Sequence, residues 1–149
     1  MITSETALSG RLCDDGHALD VRVYYEDTDF TGIVYHASYV RFMERGRSDY
    51  LRLLGIHHHK LASGVFGESL AFAVRALSIE YIKPARVDDI LQVKTRFSEL
   101  AGARIELCQE IWRAEEKLAS GQVTVIVINE KGRPRRIPAD MAQVLIPSP

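Results

Sequence analysis

Between positions 24 and 36 the chain reads Tyr24-Tyr25-Glu26-Asp27-Thr28-Asp29-Phe30-Thr31-Gly32-Ile33-Val34-Tyr35-His36, its densest run of polar and titratable side chains. A carboxylate held beside a substrate can act as a general base on water or as a nucleophile. Asp27 and Asp29 supply carboxylates, and His36 adds a hydrogen-bond donor or titratable group within the same turn. A lone acidic residue in a loop is best explained as a turn former. Two aspartates, a glycine, a histidine and several tyrosines together exceed what a turn requires. Such a set could attack or hydrate a polarised carbonyl.

The elements that must position these residues follow from periodicity. Val21, Val23 and Tyr25 alternate with Asp20, Arg22 and Tyr24, which predicts a strand over 20–25 with one buried face. The turn formers of 26–32 break it. From Tyr39 the period changes: Tyr39, Phe42, Met43, Gly46, Tyr50, Leu53 and Leu54 recur at three- and four-residue spacing. This predicts a helix over 39–54, with Ser38 as N-cap and Gly55 as C-cap. Gly46 costs that helix about 1 kcal/mol relative to Ala, a cost that close packing against a sheet would explain. The reactive run therefore enters a helix N-terminus, where unpaired N–H groups and the helix dipole favour negative charge. A carbonyl oxygen aimed there is polarised, and a developing oxyanion is stabilised.

Strands are predicted over 70–81, 90–100, 104–114 and 118–129, joined by connectors short enough for antiparallel hairpins. A short helix over 139–145 follows Gly132, Pro134 and Pro138. One amphipathic helix and five strands make an α+β domain of two layers, with residues 1–149 as a single domain and 1–19 as a flexible N-terminal segment. The uncovered sheet face or edge is most simply buried by a second copy.

Composition narrows the class. Nineteen basic and twenty acidic side chains leave a formal charge of −1, which argues against a protein that works by neutralising nucleic-acid phosphates. At 46% apolar and 26% charged residues the chain is neither low-complexity nor disordered. It begins with neither a basic segment nor an apolar signal-like run, and no apolar stretch approaches the ~20 residues a spanning helix needs. The expectation is a soluble, cytoplasmic protein. Cys13 and Cys108 lie far apart without flanking ligands, which favours reduced thiols over a disulfide or metal site. His57-His58-His59 also fails as a metal site, because adjacent side chains diverge. Trp112, on an apolar strand, is read as core or interface.

The run Tyr24-Tyr25-Glu26-Asp27-Thr28-Asp29, continued by Gly32-Ile33-Val34-Tyr35-His36-Ala37-Ser38-Tyr39 and Phe42-Met43-Glu44-Arg45-Gly46-Arg47, resembles the hotdog-fold acyl-CoA thioesterases of the 4-hydroxybenzoyl-CoA type. Within them it is most similar to the Tol–Pal-associated (YbgC-like) subgroup, and the likeness extends from Val21 to about Ile137. The resemblance implies a hotdog fold, a curved antiparallel sheet of five strands wrapped around one long helix. It implies hydrolysis of an acyl-CoA or acyl-carrier thioester to free acid and thiol, with no cofactor or metal, since coenzyme A is part of the substrate.

By the same resemblance Asp29 is the catalytic carboxylate, as nucleophile or as base, and His36 is catalytic through its helix-start N–H and its side chain. Gly32, Val34, Tyr35, Phe30 and Tyr25 fall on the substrate side, while Asp27 reads as structural. Phe30-Thr31 departs from the pattern, because relatives often carry Ala or Gly there. Arg133, Arg135 and Arg136, with neighbouring Lys131, and Lys83, with Arg86, are candidate contacts for coenzyme A phosphates; a solvated face explains them equally well. The implied partners are acyl-CoA, further copies in a homodimer or tetramer, and the Tol–Pal or acyl-carrier systems of the subgroup, with no nucleic acid.

A non-catalytic acyl-thioester binder docking on a membrane-associated complex is the competing reading. An acyl-thioester dehydratase on the same fold fits the motif poorly. With so short a chain, the site is expected to lie at a subunit boundary and to be completed by a second copy.

Overall fold

A computed structural model describes residues 8–145, so residues 1–7 of the expected flexible segment lie outside the described residues. The long helix forms where the three- and four-residue period predicts it. Helix α1 spans Ser38–Leu53 and buries Ser38, Tyr39, Phe42, Met43, Gly46, Tyr50 and Leu51. Leu53, assigned to the apolar face from spacing, is partly exposed, and Leu51 is buried in its place. Gly55 stops the helix as expected. Its φ of +86° is a conformation that a residue without Cβ adopts freely. The Ile56 N–H then returns to the Leu51 carbonyl at 2.8 Å, closing a Schellman-type end. Helix α2 spans His58–Ala62 and α3 spans Ala139–Leu145.

Six strands form one antiparallel sheet, not five: β1 (Arg11–Cys13), β2 (Gly16–Arg22), β3 (Leu70–Tyr81), β4 (Ile90–Ala101), β5 (Arg104–Arg113) and β6 (Glu116–Asn129). Their order is β1-β2-β4-β5-β6-β3, which leaves β1 and β3 at the edges. The sheet with its one long helix is the expected hotdog arrangement.

Two expectations about the N-terminal region fail. Residues 11–13 and 16–19 are strand, not a loose lead-in, and the strand expected over 20–25 ends at Arg22. Tyr25 falls in a 3₁₀ turn, Tyr25–Asp27. The reason is tertiary. His17 is a polar residue at a core position of β2, and its burial depends on Asp49, a residue of α1.

The core lies between α1 and the sheet. Phe42 and Met43 are fully buried among Leu91, Val93, Ile111 and Ala119. A second cluster, with Leu51, Leu61, Leu107, Val123, Val127 and Met141, closes the other end of the helix. Gly46 sits at the closest approach. A Cβ there would lie 2.8 Å from Val93 Cγ1 and 3.1 Å from Thr95 Oγ1, so the packing expected from its mid-helix position is present. Beneath it the buried Gln109 donates to the Met43 carbonyl at 2.9 Å and to Thr95 Oγ1 at 2.8 Å. Its own side-chain oxygen accepts from Arg47 at 3.0 Å. A buried amide satisfied on both ends carries no desolvation penalty for an unmade bond.

His17 is paired at 2.6 Å between Nε2 and Asp49 Oδ2, and its ring stacks on Tyr50 at 5.1 Å. Burial pushes its pKa down, outweighing the pull of Asp49 in the other direction, with Arg11 adding to the lowering. The neutral ring therefore donates through Nε2. Nδ1 is buried without a hydrogen-bond partner, so protonation would create an unpaired buried donor.

Two outcomes are expected. Gly46→Val overpacks the helix–sheet contact and lowers stability by about 1–3 kcal/mol, measured as a fall in the urea midpoint at unchanged slope. Because the folded pKa of His17 is depressed, the unfolded chain takes up the proton first as pH falls. Stability is then intact above about pH 6.5 and declines below it, by at most about 1.4 kcal/mol per pH unit. Urea unfolding between pH 7.5 and 5 checks this, and His17→Gln should flatten that part of the curve.

Candidate active site

The reactive run is shaped by backbone pairing that no side-chain pattern announces. After β2, Val23 exchanges hydrogen bonds with the 88–89 turn: its N–H donates to the Asp89 carbonyl at 2.9 Å, and its carbonyl accepts from Asp88 at 2.8 Å. The 3₁₀ turn then reverses the chain. Asp27 turns inward, its carboxyl only 6% exposed, and accepts from the Tyr24 N–H at 2.8 Å. The Asp27 carbonyl takes the Tyr35 N–H at 2.9 Å and the Ser38 hydroxyl at 3.0 Å. Ser38 is therefore the first residue of α1 and braces the loop. The N-cap is Ala37, which offers no side-chain bond.

Residues 28–34 form a small closed loop on this base. Thr28 and Val34 pair as an isolated bridge, and Ile33 pairs with Arg86. The Asp29 N–H donates to the Ile33 carbonyl at 2.9 Å, and the Val34 N–H to the Ala85 carbonyl at 2.8 Å. Gly32 takes φ +87° with open space where a Cβ would stand, so the backbone there is uncovered.

Asp29 lies outward on this loop. Its Oδ1 accepts from the Thr31 N–H at 2.7 Å and from the Thr31 hydroxyl at 2.5 Å. Those two bonds, the hydroxyl foremost, hold its carboxyl below the usual carboxylate range. It is thus an ionised, accessible carboxylate at pH 7. Asp27, two residues earlier, is buried and fully engaged in the loop, which fits the structural reading.

At the helix start the His36 carbonyl accepts from the Tyr81 hydroxyl at 2.7 Å, while the His36 N–H has no acceptor among the described residues. Tyr81 packs edge-on to Tyr39 at 5.2 Å, and the Tyr39 hydroxyl accepts from the Ala85 N–H at 3.0 Å. The segment between β3 and β4 is thereby tied to both the loop and the helix start. The site is an accessible carboxylate, held at one oxygen by Thr31, on a multiply hydrogen-bonded loop beside a helix N-terminus, an arrangement able to deliver base or nucleophile to a polarised carbonyl.

The sequence-predicted site residues divide into two groups. Asp29, Gly32, Val34, Tyr35, His36, Phe30 and Tyr25 share the loop and helix start. Val34 is buried, Phe30 is 99% exposed and Tyr25 80% exposed, and the Tyr35 and His36 rings stand 4.4 Å apart. The basic candidates are not brought together. Lys83 follows β3 at the site end and pairs with Glu116 at 2.8 Å. Arg133, Arg135 and Arg136 follow β6 at the opposite end of β3, where Leu70 pairs with Asn129, and Arg135 is held by Glu68 at 2.8 Å.

Trp112 is neither a core residue nor enclosed. It is half-buried, with the Lys94 ammonium 4.5 Å from its ring. His57, His58 and His59 flank or begin α2, and no cluster of three or more metal-ligating side chains occurs among the described residues. Cys13 and Cys108 are both free thiols. No helix of the described chain is long and apolar enough to cross a membrane.

Sequence reading missed Tyr81 and Thr31. Tyr81 looked like the end of a strand, and only the β3–α1 packing places its hydroxyl on His36. Thr31 carried a signal, a hydroxyl two residues after an aspartate, which is the spacing of a local side-chain–backbone turn.

Residues 31–120 match the family model of the thioesterase superfamily. The chain is 43% identical over 120 residues, 79% of its length and 87% of the relative's, to the acyl-CoA thioester hydrolase YbgC of Escherichia coli. It is 42% identical over 118 residues, 79% and 85% of the two chains, to the acyl-CoA thioesterase YbgC of Haemophilus influenzae. Among solved structures, a probable thioesterase from Bartonella henselae is 49% identical, with a TM-score of 0.81 over 83% of this chain and 99% of that one. Fold, site geometry and these likenesses agree that the chain belongs to the thioesterase superfamily.

Proposed function

We propose that this protein is an acyl-CoA thioesterase in which Asp29 is the catalytic carboxylate and the start of α1 polarises the thioester carbonyl. The observation that carries this reading is the accessible, ionised Asp29 carboxyl on a loop that leads directly into a helix start where the His36 N–H has no acceptor among the described residues. Similarity to the YbgC thioesterases supports the substrate class. In this reading the thioester oxygen sits against the His36 N–H. Either Asp29 takes a proton from the attacking water, which gives the free acid directly, or it attacks the carbonyl carbon to form an acyl-aspartyl anhydride that water then hydrolyses to free acid and Asp29. In both cases the thiolate of coenzyme A leaves. Negative charge gathers on the oxygen as the tetrahedral centre forms, so a donor aimed there lowers the barrier more than it strengthens ground-state binding. The His36 side chain lies in the same turn and can hand a proton to the leaving thiolate.

A second copy completes the site. Edge strand β3 exposes Val74, Leu77 and Tyr81 along twelve residues, a length of open edge that soluble proteins ordinarily cover. Two such edges paired antiparallel would set the Arg133–Arg136 end of one chain beside the Asp29 end of the other, where coenzyme A phosphates need cations. We place the enzyme in the cytoplasm. A Tol–Pal or acyl-carrier partner belongs to the same reading through the motif resemblance over residues 24–47.

Thiol release from a panel of short, long and aromatic acyl-CoA substrates tests the activity. Asp29→Ala should lower kcat by at least about a hundredfold at unchanged fold, measured by circular dichroism. Wild-type rates in that variant would sink the mechanism, and tight binding without turnover by the native protein would make it an acyl-thioester binder. Tyr81→Phe, which unties the His36 carbonyl, should lower kcat about two- to tenfold with little change in KM.

A further inference from the structure

Resting on the assignment of Asp29 above, we infer that Thr31 is a positioning residue for the reaction: it clamps Asp29 Oδ1 with two donors and leaves Oδ2 as the single oxygen presented to substrate or water. The clamp is local, with the Ile33 N–H adding a lesser pull on the same carboxylate. The Thr31 N–H lies 2.7 Å and its hydroxyl 2.5 Å from the same oxygen, Oδ1, while Oδ2 accepts no hydrogen bond among the described residues. An exposed aspartate otherwise rotates freely about its side-chain bonds, and a reacting group misplaced by an ångström loses much of its rate. A backbone N–H alone fixes one contact. Adding the hydroxyl fixes the carboxylate plane as well, and the Thr31 side chain is itself stiff at χ1 because it is β-branched.

The hydroxyl also changes the chemistry. Donors that favour the charged form keep a carboxylate ionised to lower pH, and both Thr31 contacts lower the Asp29 pKa, the hydroxyl most. An Ala or Gly at position 31 supplies only the N–H. In this chain the carboxylate is better oriented and stays ionised into more acidic solution, but it is a weaker base. The other charged groups around the loop do not compete for Oδ1. Asp27 is turned inward to Tyr24 and lies 3.8 Å from Arg41. Arg86 meets the loop through its backbone pairing with Ile33, and Lys83 is paired with Glu116. Glu26 and His36 lie on the same segment and are unchanged by substitution at 31.

The test is the pH dependence of kcat and KM for Thr31→Ala, Thr31→Ser and Asp29→Ala on one acyl-CoA substrate. Thr31→Ala should move the acid limb of kcat/KM to higher pH and lower kcat by about tenfold at little change in KM, while Thr31→Ser should restore both. A structural role alone would alter the thermal midpoint and leave the acid limb where it is. If Asp29→Ala is inactive and Thr31→Ala keeps the wild-type limb and kcat, the clamp is refuted while the role of Asp29 stands. If Asp29→Ala retains full activity, both fall.

Discussion

The descent of helix α1 onto β4 and β5 at Gly46 is the contact on which the rest of the molecule depends. Among the described residues no second helical layer buries the sheet, so one sixteen-residue helix covers it. The missing side chain at Gly46 brings the backbone within reach of Val93 and Thr95. That approach sets Phe42 and Met43 into the sheet on one side and lets Gln109 bond the helix backbone at Met43 on the other. A helix backbone gripped by a buried side chain cannot slide along its axis without breaking that bond. The position of its N-terminus is therefore fixed relative to the sheet, and the helix start is one half of the candidate site.

The other half is fixed by the segment between β3 and β4. Ala85 is fully buried and bonds twice, its N–H to the Tyr39 hydroxyl and its carbonyl to the Val34 N–H. Arg86 pairs with Ile33, and Asp88 and Asp89 pair with Val23. A loop stitched at so many points holds a carboxylate far more steadily than its exposure alone would allow. The same stitching separates the two aspartates. Asp27 is spent on the Tyr24 N–H and on bracing the turn, whereas Asp29 is left facing solvent with one oxygen held by Thr31. Two identical side chains, two residues apart, thus have opposite surroundings because one faces the helix base and the other faces out.

The two ends of β3 differ in the side chains they gather. Basic side chains gather after β6, with Glu68 opposite them, while the Asp29 end carries exposed aromatic residues. Exposed apolar side chains rimmed by polar ones, next to an unpaired strand edge, are the usual marks of a surface that meets another protein or a ligand.

Much of this was legible before any coordinates. Helix α1 was readable because a three- and four-residue apolar period over four turns has no competing explanation, and its end was readable because Gly55 can take a positive φ. Strands β3 to β6 were readable from alternation and short connectors, and the place of Asp29 and His36 at a helix entry from the turn formers between a strand and a helical period. What sequence could not supply were features whose cause lies far along the chain. Strand β2 begins early because His17 is buried against Asp49, thirty-two residues away. Tyr81 reaches His36 across forty-five residues, and Trp112 sits beneath lysines in place of the core. Local pattern determines which face of an element is apolar, since that depends only on spacing. Which polar residue is drawn inside, which carboxylate is left free and which hydroxyl meets which carbonyl are decided only when the helix is docked, because each depends on a partner that packing alone brings near.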